Sequence, residues 1–184
     1  MAFELTDALF HKIDTIGTSC PLLICQTPKV LSADLSASPE GLEVLCPLGN
    51  PMNLGAVIRS CSAFDVQKLI LLEEAANPFH PKAIRASSGA VFHQPLYEGP
   101  EIRDLTRHEL RRWVVSLDLK GKNLSTWQWP KHVRLLVGEE GLGLPDNTFQ
   151  HTLMIPQSHA IDSLNAAMAT SIALFAYRQQ FPLS

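Results

Sequence analysis

An α/β domain with a mainly parallel sheet flanked by helices is what this sequence predicts, on three observations. From Leu42 onwards, short apolar runs alternate with stretches of helical periodicity, the pattern of strands feeding helices. At 184 residues and 46% hydrophobic, the chain is long enough for one well-buried domain and too short for two ordinary ones. Three segments dense in Gly, Asn, Arg and Glu each begin where an expected strand ends. Ligands of parallel α/β sheets bind outside the carboxyl ends of the strands.

Residues 1–40 stand apart from the rest. Leu5, Leu9, Ile13 and Ile16 recur at helical spacing over residues 4–16, and Pro-Leu-Leu-Ile-Cys at 21–25 reads as a strand. Residues 32–41 are polar and punctuated by Pro39 and Gly41, hence a loop or linker. Residues 42–48 then read as a buried strand, and 53–64 as a helix with Leu54, Val57, Ile58 and Cys61 on its apolar side. Strand 68–72, helix 81–87, strand 91–95, helix 101–113 and strand 114–117 follow in alternation. Strands 133–137 and 152–155 lead to a closing helix over 163–180. That helix carries Leu164, Ala167, Met168, Ile172, Phe175 and Ala176, more apolar surface than one sheet face must cover, so a further partner is expected against it.

Composition bounds the function. A formal net charge of −3 gives no global pull towards nucleic acid, so any such binding uses a local patch. Arg103, Arg107 and Arg111 recur every four residues along the expected helix, which reads either as that patch or as a solvated face balanced by Asp104 and Glu109. No apolar run reaches the ~18 residues of a membrane span, and the start Met-Ala-Phe-Glu-Leu-Thr-Asp lacks the basic and apolar regions of a signal peptide. Cys20, Cys25, Cys46 and Cys61 lack paired spacing and read as reduced, mostly buried thiols of a cytoplasmic protein. The seven histidines show no close metal-ligand pair, so no metal is expected.

The three junctions suggest one composite ligand site. After the strand ending near Ile155, Asp162-Ser163-Leu164-Asn165 opens an Ala-rich helix, and Ser163 and Asn165 read either as helix caps or as site residues. The second junction is Asn50-Pro-Met-Asn-Leu-Gly-Ala-Val-Ile-Arg59 and the third Leu136-Val-Gly-Glu-Glu-Gly-Leu-Gly-Leu-Pro145. This Gly-rich loop lacks the Lys-Ser/Thr pair of a phosphate loop, and Glu139 and Glu140 would repel phosphate. It suits a neutral or cationic ligand, which Gly138, Gly141 and Gly143 let the backbone approach closely.

Taken in order, these segments resemble the three motifs of the SpoU (TrmH-like) branch of the SPOUT methyltransferases, over roughly residues 42–180. The family's Asn-x-Gly-x-x-x-Arg appears as Asn53-Leu-Gly-Ala-Val-Ile-Arg59, and its Gly-x-Glu-x-x-Gly as Gly138-Glu-Glu-Gly-Leu-Gly143. Its Ile-Pro…Ser-Leu-Asn appears as Ile155-Pro…Ser163-Leu-Asn165, and the intermediate Lys82-Ala-Ile-Arg-Ala-Ser-Ser-Gly-Ala90 fits as well. The resemblance implies an α/β domain whose C-terminal segment threads a deep trefoil knot, an exception to the rule that chains avoid knots. It implies a homodimer that transfers a methyl group from S-adenosylmethionine to a ribose 2′-hydroxyl of ribosomal or transfer RNA. It also divides the chain into an N-terminal extension or linker remnant at 1–40 and a catalytic domain at 41–184. Two motifs depart from the pattern: Gln157 and His159 stand where the family reads Met and Gly, and Asn50 where it reads Asp.

The resemblance also implies roles. Arg59 becomes the catalytic arginine that contacts the target ribose and its phosphate, the alternatives being a helix cap or a carboxylate bridge. A guanidinium with a pKa above ~12 is a poor base. Arg59 therefore reads as a stabiliser of the developing alkoxide, fixed by a bidentate phosphate contact. Glu140 would orient Arg59 or a substrate hydroxyl, and Asn53 and Asn165 would offer amides to ribose and loop backbone, while Ser163 would touch substrate or cap its helix. Leu117, Gly138, Ile155 and Leu164 match the positions that embrace the cofactor, apolar walls with backbone hydrogen bonds. The competing reading is a non-catalytic knotted module that binds RNA or a partner, its cofactor affinity impaired through Gln157 and His159.

Overall fold

The computed structural model describes residues 4–14, 17, 20–138, 149–158, 160 and 162–183. Its strands are β1 (Leu31–Ser32), β2 (Leu42–Cys46), β3 (Lys68–Leu71), β4 (Leu96–Glu98), β5 (Val114–Asn123), β6 (Val133–Leu136) and β7 (His151–Met154). Its α-helices are α1 (Asp7–Ile13), α2 (Pro51–Ala63), α3 (Pro81–Ala86), α4 (His108–Arg111) and α5 (Ala166–Gln180). The strands form one sheet in the order β1-β4-β3-β2-β6-β5-β7, and every neighbouring pair is parallel, as the alternation of runs and helices predicts.

The strands are buried on both faces. Successive side chains point to opposite sides of a strand. Leu42, Val44 and Cys46 of β2 accordingly join one core cluster with Leu54, Val57 and Ile58 of α2 and with Ala173 and Leu174 of α5. Leu45 joins a second cluster with Ile70, Leu105, Leu136 and Leu35. Glu43, between them on β2, is opposite Lys68 on β3 and Arg134 on β6. Arg134 donates through Nε to Glu43 Oε2 at 2.8 Å, and through its terminal nitrogens to the Leu35 and Ala37 carbonyls, each at 2.7 Å.

Helix α2 is the hinge pin of the first face. Asn50 caps it, accepting the Met52 and Asn53 N–H groups on Oδ1, and Pro51 occupies its first turn. A Cβ on Gly55 would come within 2.4 Å of the Ala83 carbonyl and 2.7 Å of the Ala86 side chain, so only glycine lets α3 lie this close. Gly55→Ala gains about 1 kcal/mol of helix propensity but incurs an overpacking cost of about 1–3 kcal/mol. A net loss of stability is expected in urea unfolding, and a variant more stable than the parent would show that α3 can retreat freely. Across the other side of α2, Ser60 and Ser171 meet at 2.7 Å, and Arg178 of α5 donates to the Phe64 and Asp65 carbonyls at 2.8 and 2.7 Å.

Five expectations are corrected. Residues 21–25 are exposed and not a strand, because no neighbour offers them a ladder; the sheet edge is taken by β1, inside the stretch read as a loop or linker. Residues 91–95 are not a strand either: Ala90–Phe92 is a 3-10 turn, and pairing with β3 begins only at the Pro95 carbonyl, which accepts the Leu69 N–H. Helix 101–113 is broken into a 3-10 turn, Ile102–Thr106, and α4, because Arg107 is extended at φ −60° and ψ 134°. Arg103 and Arg107 therefore share no helix face, and each is ion-paired locally, to Glu101 and Asp104. Cys46 and Cys61 are buried, but Cys20 and Cys25 are exposed, because the segment holding them does not pack into the core. The closing helix begins at Ala166, not at residue 163, since Asn165 and not Ser163 supplies the cap.

Candidate active site

Four adjacent strands have their exits at one edge of the sheet, where the segments carrying the expected site residues begin. β2, β6, β5 and β7 are consecutive parallel neighbours, so the segments leaving their carboxyl ends lie side by side. β2 leads into α2 with Asn53 and Arg59, and β6 leads to Gly138. Leu117 ends the first stretch of β5 paired to β7, before residues 118–121 bulge out and pairing resumes at Lys122. β7 leads to Ile155 and, further on, to Ser163, Leu164 and Asn165.

One hydrogen bond ties the two ends of the motif set together. Asn165 Nδ2 donates to Asn53 Oδ1 at 3.0 Å, while Asn165 Oδ1 accepts the Ala167 and Met168 N–H groups. Both halves of the Asn165 amide are thus committed: the oxygen caps α5 and the nitrogen joins it to the first turn of α2. Of the two alternatives for Asn165, the cap is observed, and the bond to Asn53 is compatible with it. Ser163 is exposed two residues before the cap and plays no capping part. Asn165→Ala is expected to cost about 1 kcal/mol in chemical unfolding through the lost cap. Asn165→Asp keeps the cap and loses the donor to Asn53, so it should retain stability and lose activity; equal activity in Asp and wild type would remove the bridge from the site.

Of the expected cofactor positions, Gly138 and Leu117 come together. A Cβ on Gly138 would lie 3.2 Å from the Leu117 carbonyl, so the β6 and β5 exits approach backbone to backbone. Leu117 is buried, Ile155 is half-buried against the first core cluster, and Leu164 is half-buried before the Asn165 cap. Gln157 Nε2 donates to the Asp162 carbonyl at 3.4 Å, bridging the loop between Ile155 and Leu164. Glu140, with Gly141, Gly143 and His159, lies outside the described residues.

Arg59 is exposed on α2 and has no hydrogen bond or ion pair with any described residue. The arginine that sits at the carboxyl end of α2 is Arg178. The helix-cap and carboxylate-bridge alternatives for Arg59 thus have no partner among the described residues. Sequence reasoning missed Asn50, which holds the first turn carrying Asn53; an Asn directly before Pro51 was the available signal for a helix start. A cavity of about 770 Å³ opens at the opposite, amino-terminal edge of the strands, lined by Gly41, Leu42, Trp113 and His132, and contains none of the site residues. Among the described residues, no group of three or more His, Cys, Asp or Glu could hold a metal, and no helix is long and apolar enough to cross a membrane.

Comparison with known proteins gives the same assignment over most of the chain. The model of the SpoU rRNA Methylase family matches residues 43–175. A ribosomal RNA small subunit methyltransferase G 2 of Syntrophobacter fumaroxidans is 40% identical over 176 residues, 95% of this chain and 35% of that protein. A 23S rRNA uridine 2′-O-methyltransferase of Streptomyces viridochromogenes is 32% identical over 71% of this chain and 50% of its own length. The chain therefore spans a third to a half of these curated relatives. The crystal structure of an AdoMet-bound rRNA methyltransferase from Sinorhizobium meliloti superposes with a TM-score of 0.71 at 33% identity, covering 83% of this chain and 62% of that one.

Proposed function

The chain belongs to the SpoU rRNA Methylase family, and from that premise we propose that it transfers a methyl group from S-adenosylmethionine to a ribose 2′-hydroxyl of ribosomal or transfer RNA. The observation that supports this reading is the adjacency of the segments leaving β2, β6, β5 and β7, with Asn165 bonded to Asn53 in the first turn of α2. The close backbone approach of Gly138 to Leu117 fits a planar base and ribose held by backbone groups. The cofactor supplies an electrophilic methyl on a sulfonium, which needs no metal to activate it.

The protein's part is to bind, orient and stabilise. Arg59, unpaired among the described residues, is available for a bidentate contact to the phosphate beside the target nucleotide. From there its charge stabilises the oxygen as the S–CH3 bond breaks and the O–CH3 bond forms. The hydroxyl proton leaves to a phosphate oxygen or to water. Asn165 holds Asn53 in place and so positions the ribose, and Ser163, exposed beside it, contacts substrate. Glu140 orients Arg59 or the reacting hydroxyl. The catalytic domain is residues 41–184, residues 1–40 form an extension whose β1 and Leu35 complete its sheet edge and core, the C-terminal segment is knotted, and the protein works in the cytoplasm.

A homodimer completes this reading. Met168, Ile172 and Phe175 recur at one-turn intervals on α5 and are 60%, 39% and 52% exposed, while Ala173, Leu174 and Tyr177 are buried. An apolar stripe of this kind calls for a partner, and a second copy packing about a two-fold axis supplies one. Met168→Glu is expected to leave the fold intact, since the side chain is already exposed, and to convert dimer to monomer in sedimentation. A monomeric wild type at micromolar concentration, with activity intact, would remove the dimer. The function itself is tested by mapping ribose methylation in RNA with and without the protein, alongside calorimetry of S-adenosylmethionine binding; absence of both would leave the non-catalytic module.

A further inference from the structure

An acidic protein that takes RNA must concentrate its positive charge somewhere, and the arginine series at 103, 107 and 111 does not do it, because two of its members are ion-paired on separate segments. Another surface does. Residues 46–64 and 75–97 contain no Asp or Glu, although the chain holds 18 acidic against 15 basic residues. These two stretches are α2 with its entry loop, and α3 with the 3-10 turn Ala90–Phe92 after it. They pack directly on one another through Gly55, Ala83 and Ala86. Arg59 is one turn beyond Gly55, so it emerges on the side of α2 that faces α3. Lys82 and Arg85, three residues apart, share the exposed side of α3, with Ala83 buried between them. None of these three cations is paired with a described residue, whereas Lys68, Arg134 and Arg178 each hold a carboxylate.

The turn that follows α3 presents an aromatic platform. Phe92 is 56% exposed, and its ring stacks on half-buried Phe79 with centroids 6.5 Å apart and planes inclined at 29°. Phe79 packs against the core and fixes the ring that Phe92 shows to solvent. Unpaired cations beside an exposed ring are what an RNA strand with accessible bases selects: phosphates take the charges and an unstacked base takes the ring. A duplex would bury its base faces and leave Phe92 without a partner.

We infer that α2, α3 and the following turn, whose own residues include no carboxylate, dock a single-stranded segment of the RNA substrate, with Lys82 and Arg85 on flanking phosphates and Phe92 stacked on a base. This rests on the RNA reading above and adds the surface and the strandedness to it. The strand would run from Phe92 across α3 towards Arg59, which delivers the target ribose to the site.

The test is the salt dependence of binding a fluorescent, mixed-sequence single-stranded RNA of about twelve nucleotides to the full chain. Lys82→Gln with Arg85→Gln is expected to reduce the slope of log affinity against log salt by about 1.4, two single-strand phosphate contacts. Phe92→Ala should weaken binding by about ten-fold, Phe92→Trp should restore it, and the slope should not change in either. Arg103→Gln with Arg107→Gln is the control and should leave affinity and slope alone. Each variant must keep the wild-type unfolding midpoint and S-adenosylmethionine affinity, which separates a lost surface from a lost fold. Unchanged affinity and slope in the Lys82–Arg85 variant, or equal affinity for duplex and single strand, overturns the surface alone. A wild-type chain that binds neither RNA nor S-adenosylmethionine overturns the methyl-transfer reading as well.

Discussion

Arg59→Ala is expected to lower methyl transfer by about 100-fold or more, as for the loss of one preorganised donor to a developing oxyanion, and to leave cofactor affinity nearly unchanged. The side chain is exposed and unpaired among the described residues, so its removal opens no cavity and strands no buried charge. Stability should therefore hold while turnover falls, a separation that a structural arginine would not show. Arg59→Lys should also be poor, because an ammonium is a point charge and cannot reproduce the two parallel bonds of a guanidinium to phosphate. Single-turnover rates with saturating RNA distinguish the chemical defect from weak binding. Turnover within a few-fold of wild type would end the assignment.

The second large effect belongs to stability. Arg134 is 2% exposed and Glu43 1%, and the guanidinium also satisfies the Leu35 and Ala37 carbonyls. Arg134→Met would leave Glu43 with Lys68, 3.2 Å away at a partly exposed site, and the Glu40 N–H, and would take the guanidinium from both carbonyls. Breaking a buried pair from one side costs about 3–5 kcal/mol, a large share of the 5–15 kcal/mol typical of a domain. The second face of the sheet should loosen first, because residues 33–39 are held there by those carbonyl bonds. Glu43→Leu combined with Arg134→Met should cost less than the sum of the single changes, since no lone charge remains buried. A loss below about 1 kcal/mol for Arg134→Met in urea unfolding would mean that water reaches the site and compensates.

Much of the framework was readable because local physics decides it. β2, β3, β6 and β7 are apolar runs of strand length, and α2 and α5 carry apolar residues at helical spacing. The expected bounds of these elements differ from the observed ones by a few residues, where caps such as Asn50 and Asn165 set the true start. The readings that failed were those where context overrode pattern. Residues 21–25 have strand composition but no neighbouring strand, and residues 101–113 have helical periodicity interrupted by an extended Arg107. A strand exists only as part of a ladder, and an alternation of charges every four residues does not itself make a helix.

The sequence by itself determined which residue types stand at the strand exits: Asn53 and Arg59 after β2, Gly138 after β6, Asn165 after β7. Only the tertiary structure decided which of them meet. Asn53 and Asn165 are 112 positions apart, and Glu43 and Arg134 are 91 apart, so no local pattern marks either pair. The same holds for the arginines. Arg59, Arg103, Arg107, Arg134 and Arg178 are equivalent as letters, yet the fold sends four of them to acceptors and leaves Arg59 facing solvent on α2. A charge is neutralised by whatever lies within a few ångströms of it, and that distance is set by sheet order and helix packing, not by position along the chain.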